Sequence, residues 1–374
     1  MSPDPRRPLV AVDARMVESS GIGTYVSNVL ARLVAAGPRW RLALLGDPEA
    51  LARYPWAAAS GVEVIAHRAP LYGLRQQLLP SAVRSRSPEL LWVPHYNIPV
   101  AWRGPLLVTV HDLAHLALPE VFGRGVRRAY ACVTYAAVRR RAAGVLYVSR
   151  FSRDEFHRLV GPPRGAEWTV PNGVGPEWFE ASSEAGPTAR PYFLFVGNVK
   201  PHKNLGRLLE AFAEVAPEIP HELVVAGRRR GFLTGDPRLE QRAAELGARV
   251  RFTGFLEAGE LRRTVAAAAG LVLPSLYEGF GLPAIEAMAC GRPVLAARAG
   301  ALPEVCGDAA LYCDPLAPAD IAAGLRRLAG DPELTAHLAA AGVERARQFS
   351  WDNTAAAIGD VIRQILDSSA NEAR

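Results

Sequence analysis

Short apolar runs alternate with helix-patterned stretches along this whole chain, and that alternation points to parallel sheets flanked by helices. In the first half the runs fall at Leu9–Asp13, Arg41–Gly46, Val62–Ala66, Leu90–Pro94, Leu106–His111, Val145–Ser149 and Trp168–Pro171. Helical stretches such as Gly23–Ala36 and Gly125–Ala143 lie between them. The segment from Ala181 to Thr188 is small, polar and proline-containing, cannot build a core, and reads as a linker. The alternation then restarts, with strands expected at Tyr192–Gly197, Leu223–Gly227, Val250–Thr253, Leu271–Pro274, Pro293–Ala296 and Ala310–Cys313. After the first of these, Leu205, Leu208, Leu209, Phe212 and Val215 recur at helical spacing, with Asn204 placed to cap the helix.

A chain of 374 residues suits two domains at roughly 100–200 residues each. The linker divides it into residues 1–184 and a second domain at 185–350. Ligands bind beyond the carboxyl ends of strands in open α/β sheets, so two such domains facing each other would hold a ligand in the cleft between them. Composition narrows the partners. With 49% hydrophobic and 21% charged residues the chain reads as soluble and globular. No apolar run reaches the ~20 residues that span a bilayer. Met1–Pro8 lacks the basic-then-apolar pattern of a secretory signal, so a cytoplasmic location is expected. Cys132, Cys290, Cys306 and Cys313 have no metal-ligand spacing and are expected to be reduced, buried thiols. The net charge of +6 comes from scattered arginines with no aromatic-interleaved stripe, so no nucleic-acid partner is expected. The two lysines, Lys200 and Lys203, share one loop.

The segment Pro274-Ser275-Leu276-Tyr277-Glu278-Gly279-Phe280-Gly281-Leu282-Pro283-Ala284-Ile285-Glu286 leaves a strand, passes two glycines and enters a helix. Glycines admit a ligand close to the backbone, and a helix N-terminus offers free N–H groups and a positive dipole to an anion, which outlines a diphosphate site. Leu282 and Glu286 are four apart and share a helix face. A second strand–glycine–helix passage, Gly197-Asn198-Val199-Lys200-Pro201-His202-Lys203, holds both lysines, compact cations suited to phosphate. Lysine near a helix N-terminus is electrostatically unfavourable unless an anion compensates. A third passage, Val12-Asp13-Ala14-Arg15 followed by Gly21-Ile22-Gly23-Thr24-Tyr25, is not the dinucleotide fingerprint, because Val26 stands where the third glycine belongs. His111, beside Asp112, and His95 both lie at strand ends, where ligands bind.

Two glutamates with seven residues between them, inside Ser-x-x-Glu-Gly-Phe-Gly-Leu-Pro-x-x-Glu-Ala-Met-Ala, resemble the signature of glycosyltransferase family four, and the likeness extends from about Leu9 to Leu366. The resemblance implies an α/β GT-B fold. Two Rossmann-like domains would face each other across a cleft, and a last helix, 351–374, would cross back to complete the first. It implies a retaining hexosyltransferase with a nucleotide sugar as donor and no metal or other cofactor. Glu278 would then hold the donor sugar's hydroxyls and Glu286 the ribose. Lys203 would neutralise the leaving diphosphate, and His111 would face the reacting sugar, so that His111, Glu278 and Lys203 carry the chemistry. Gly21, Gly23, Gly197, Asn198, Lys200, Arg228, Gly279, Phe280, Gly281 and Leu282 would line the donor, and His95 and Asp112 the acceptor. The family's usual arginine after the loop glycine is Asn198 here, and Lys200 or His202 would replace it.

The opening loops look most like bacterial mannosyl- and rhamnosyltransferases of surface polysaccharides, which points to GDP-mannose ahead of UDP-hexose or dTDP-rhamnose, and to a glycan or lipid-linked acceptor. Peripheral binding to the inner face of the plasma membrane would use Tyr72–Leu79 and Arg139-Arg140-Arg141, which mix apolar and cationic groups. Two other readings stay open, a nucleotide-sugar epimerase of the same fold and a non-catalytic sugar-nucleotide-binding protein.

Overall fold

The computed structural model describes residues 7–70, 81–99, 101–123, 125–181, 189–227 and 237–372. Tyr72–Leu79, Ser182–Thr188 and Arg228 lie outside the described residues. The chain forms two compact units. Residues 1–173 join 351–374 in the first, and Val174–Ser350 form the second. The sequence placed the division at 184/185 from linker composition. The helix Pro176–Glu180 precedes that linker yet packs in the second unit, where the Trp178 carbonyl accepts a hydrogen bond from Cys290 Sγ.

The first unit holds β1 (Leu9–Asp13), β2 (Arg41–Gly46), β3 (Val62–Ala66), β4 (Leu90–Val93), β5 (Leu106–Val110), β6 (Gly144–Tyr147) and β7 (Ala166–Thr169), all parallel in the order β3-β2-β1-β4-β5-β6-β7. β1, β4 and β5 are buried end to end, because helices cover both faces of a parallel sheet. The last helix, Trp351–Glu372, packs on the opening helix Ser20–Ala35, and Trp351 lies edge-to-face with Tyr25. That opening helix starts earlier than its sequence pattern predicts. Gly21 and Gly23 are therefore in its first turn rather than in a loop. A β-carbon on Gly23 would sit 2.4 Å from the Val17 carbonyl oxygen, so this glycine serves the close seating of the helix on the turn before it.

The second unit holds β8 (Tyr192–Val196), β9 (Glu222–Ala226), β10 (Val250–Gly254), β11 (Gly270–Leu273), β12 (Val294–Ala297) and β13 (Leu311–Cys313), parallel in the order β10-β9-β8-β11-β12-β13. This is the doubly wound order, with the switch in winding between β8 and β11; in the first unit the switch falls between β1 and β4. Leu205, Leu208, Leu209, Phe212 and Val215 all turn into the core as their spacing predicts. Cys290, Cys306 and Cys313 are buried, but Cys132 is exposed, because it lies on the outward side of the helix Val126–Arg141. None is paired. Among the described residues no helix is long and apolar enough to cross a membrane.

Candidate active site

In the second unit the loops after β8 and β11 flank the winding switch, where a doubly wound sheet opens a crevice. Lys203 closes a short 3-10 turn, Pro201–Lys203, and its Nζ donates to Glu278 Oε1 at 2.6 Å. Ser275 Oγ donates to the same oxygen at 2.8 Å. Oε1 is thus held by two donors, while Oε2 takes no hydrogen bond from the described residues. The Glu278 side chain is only 10% exposed, so this is not the solvated loop carboxylate that an ordinary crossover would carry.

The loop around Glu278 is fixed from three directions. Leu276 N–H donates to the His202 carbonyl, which ties the β11 loop to the β8 loop. Ala301 N–H donates to the Glu278 carbonyl. Gly300, at φ +61°, passes so close that a β-carbon would lie 2.6 Å from Glu278 N and 2.7 Å from its O. Asn204 adds a tie that its sequence position did not reveal. It makes no cap hydrogen bond from its side chain; it sits at φ 62°, and its Nδ2 donates to the Pro274 carbonyl at 2.9 Å and the Pro315 carbonyl at 2.7 Å. It therefore fastens the ends of β11 and β13 together.

The helix Leu282–Ala289 begins at Gly281, and its first N–H groups face away from the helix's own acceptors, as an anion site requires. Gly279 and Gly281 stand in this passage. The Phe280 ring is buried edge-to-face on Phe349. Glu286 lies on this helix, and its pKa is pushed up to about 8, by burial first and then by repulsion from Glu177. In the other loop Gly197 N–H donates to the Ala226 carbonyl, and Lys200 N–H to the Asn198 carbonyl, so Asn198 and Lys200 stand in the turn that leads to Lys203.

In the first unit the ends of β1, β4 and β5 gather another set. Asp13 is buried and accepts from Arg15 Nε at 2.8 Å and Nη2 at 2.5 Å, while His95 Nε2 stands 3.3 Å from Asp13 Oδ2. Burial alone would raise the Asp13 pKa, but the Arg15 and His95 donors more than offset it and hold the carboxyl well below the carboxylate range. His111 Nε2 lies 2.9 Å from the Pro94 carbonyl. Its pKa falls to about 4, chiefly through desolvation. Asp112 is exposed, and its Oδ1 accepts the Ala114 N–H. The sequence named His95, His111 and Asp112 but not the Asp13–Arg15 pair, although a carboxylate ending the apolar run Leu9–Asp13 was a signal for it.

Residues 190–331 match the family described as Glycosyl transferases group 1, and residues 19–178 match Glycosyltransferase Family 4. O-antigen chain mannosyltransferase B of Escherichia coli is 29% identical over 357 residues, which cover 89% of this chain and 93% of that one. A D-inositol 3-phosphate glycosyltransferase of Xylanimonas cellulosilytica is 31% identical over 291 residues, 70% of this chain and 67% of that one. Among solved structures, sucrose-phosphate synthase from Thermosynechococcus elongatus superposes with a TM-score of 0.81 at 22% identity, over 97% of this chain and all of that one, a likeness of fold.

Proposed function

This chain belongs to the group 1 and family 4 glycosyltransferases, has their GT-B fold of two Rossmann-like domains and is a transferase enzyme, and from that premise we propose that it moves mannose, with retention, from GDP-mannose to a glycan or lipid-linked acceptor in polysaccharide synthesis. The observation that carries this reading is the Lys203–Glu278 pair at the β8/β11 switch, a cation and a carboxylate fixed where a sugar and its phosphate would meet. The likeness to 93% of the E. coli mannosyltransferase supports mannose as the sugar.

On this reading the donor's diphosphate lies between Lys203 and the start of the helix Leu282–Ala289. Glu278 Oε2 accepts a sugar hydroxyl, and Glu286 takes the ribose. The bond from the anomeric carbon to the phosphate oxygen breaks, and the electron pair leaves with the phosphate. The acceptor oxygen enters on the same face, and its proton passes to the departing phosphate, so no enzymatic nucleophile is used. Lys203 and the helix dipole oppose the negative charge that develops, and the proposal includes no metal. A thermal-shift panel tests the donor. GDP should stabilise the protein above UDP, dTDP and ADP, since a ligand of the folded state raises its melting temperature. A larger shift with another nucleotide would remove GDP-mannose from the proposal.

One observation favours a membrane-bound acceptor. The helix Val126–Arg141 contains five arginines and no acid, yet its outward side carries Val126 at 86% and Val133 at 68% exposure. Apolar side chains flanked by cations suit an anionic lipid surface. Flotation with anionic vesicles should carry the protein upward, and Val126→Glu with Val133→Glu should abolish this. A wild-type chain that stays at the bottom rules the association out.

A further inference from the structure

We infer that the buried chain Arg15–Asp13–His95 is a positioning device for His111: it fixes the Pro94 carbonyl that holds the Nε2 proton, and so leaves Nδ1 as the nitrogen that presents a lone pair to substrate. The inference rests on the reading above in one respect, that His111 stands at the reacting end of its sheet.

Hydrogen-bond polarity fixes the tautomer. A carbonyl can only accept, so the 2.9 Å contact between His111 Nε2 and the Pro94 oxygen places the imidazole proton on Nε2. Nδ1 then carries a lone pair. That assignment is only as firm as the Pro94 carbonyl, which belongs to the turn after β4. The turn is held at two further points. His95 Nδ1 accepts the Asn97 N–H at 3.1 Å, which puts the His95 proton on Nε2; that buried nitrogen stands 3.3 Å from Asp13 Oδ2, a close electrostatic contact rather than an aligned hydrogen bond. Asn97 Oδ1 accepts from Tyr130 Oη. Asp13 cannot shift toward or away from His95, because Arg15 grips both its oxygens and is itself moored to the Ala69 carbonyl by Nη1 at 3.2 Å. His95, Asp13 and Arg15 are each at most 5% exposed at their side chains, so the whole chain is shielded from competing water.

The other face of the imidazole is held as well. Tyr25 meets it edge-to-face, with ring centroids 4.8 Å apart. Tyr25 Oη lies 3.3 Å from Thr109 Oγ1, which also accepts from Trp92 Nε1 at 3.1 Å. Burial opposes protonation of His111 and outweighs the Pro94 carbonyl and the exposed Asp112, which favour it; only a second proton on His95 would add to the opposition. The imidazole therefore stays neutral and keeps one tautomer. It acts as a hydrogen-bond acceptor for a hydroxyl rather than as an acid.

Nitrogen NMR of the imidazole reads the tautomer directly. In the wild type His111 should remain protonated at Nε2 alone until the pH approaches about 4. In Asp13→Asn the two nitrogens should exchange the proton, while the midpoint, set chiefly by burial, should not rise. Turnover should fall on the order of 10²-fold, as a displaced catalytic group costs, with nucleotide affinity unchanged. Unaltered His111 signals in a folded Asp13→Asn protein would overturn the inference. Should that variant fail to fold, His95→Gln and His95→Ala leave the Arg15–Asp13 pair intact. The glutamine can place an N–H where Nε2 was, so it should restore the tautomer and turnover that the alanine loses; equal behaviour of the two also overturns the inference. Full activity in His111→Ala would instead remove the role assigned to His111 itself, whatever the tautomer.

Discussion

Glu286 offers a proton-counting test of the proposed nucleotide site. Its carboxyl is pushed from an ordinary 4.5 up to about 8, by burial in the helix Leu282–Ala289 and then by Glu177, whose side chain folds back against Gly175. With the folded pKa above the unfolded one, the stabilisation from keeping Glu286 protonated is complete below about pH 4.5. It is lost as pH rises through about 8 and is at most about 5 kcal/mol, an upper bound because the residue is only partly buried. If the ribose hydroxyls donate to a carboxylate, binding must first remove that proton. Near pH 7 roughly 90% of the free protein is protonated, so each nucleotide bound should release about 0.9 proton, and affinity should rise about tenfold between roughly pH 7 and pH 9. Isothermal titration calorimetry in buffers of different ionisation heat measures the release. Glu286→Gln, titrated in parallel, accounts for the nucleotide's own protons and should show weak, pH-flat binding. Wild-type binding with no proton exchange and no pH dependence refutes the reasoning, because the carboxyl would then remain protonated and donate.

Three further outcomes follow from the geometry. Lys203→Ala strips the diphosphate of its ammonium and leaves Glu278 to Ser275 alone, so steady-state kinetics should show kcat down by roughly 10²–10³-fold; a kcat close to wild type counts against the charge assignment. Asn204→Gly keeps the left-handed backbone but removes two hydrogen bonds to proline carbonyls, and urea unfolding should register a loss of about 1–3 kcal/mol, with Asn204→Ala losing about 1–2 kcal/mol more. Because the His111 pKa is lowered to about 4, turnover that needs its lone pair should hold steady on the acid side and drop only as that pH is approached; an acid limb at the ordinary histidine value would show that the imidazole titrates freely.

Much of the fold was legible because both sheets are parallel and buried, so strands such as Leu42–Leu45 and Leu271–Leu273 appear as bare apolar runs. The helix after β8 announced itself by spacing alone. The Lys203 and Glu278 loops were legible because glycines and charges at strand ends are local signals. What escaped was set by distant partners. Asn204 looked like a cap, yet one of its two acceptors is the Pro315 carbonyl, 111 residues away. Gly300 carries no local mark of its contact with Glu278. The first helix begins at Ser20 because Gly23 can seat against Val17, which no helical periodicity encodes. Cys132 looked like a core thiol because its helix is apolar on its outward side too.

The two units repeat one topological solution, each with a largely buried ion pair, and differ in what stands beside that pair. In each, the loops after the first and fourth strands of the sheet meet at the winding switch. The second unit fills that place with a cation, a carboxylate and a helix N-terminus. The first fills it with an internally neutralised Asp13–Arg15 pair and a neutral imidazole. Charge that must attract a dianion belongs where the phosphate binds. Neutral acceptors belong where a hydroxyl must be oriented without trapping it. Asp13→Asn, His95→Ala and His111→Ala should therefore lower kcat and leave nucleotide affinity alone, whereas variants at Lys203 or Glu286 should change both. If Asp13→Asn weakened nucleotide binding as strongly as Lys203→Ala, this division of labour would be wrong, and the first unit's switch point would have to be counted as part of the phosphate site.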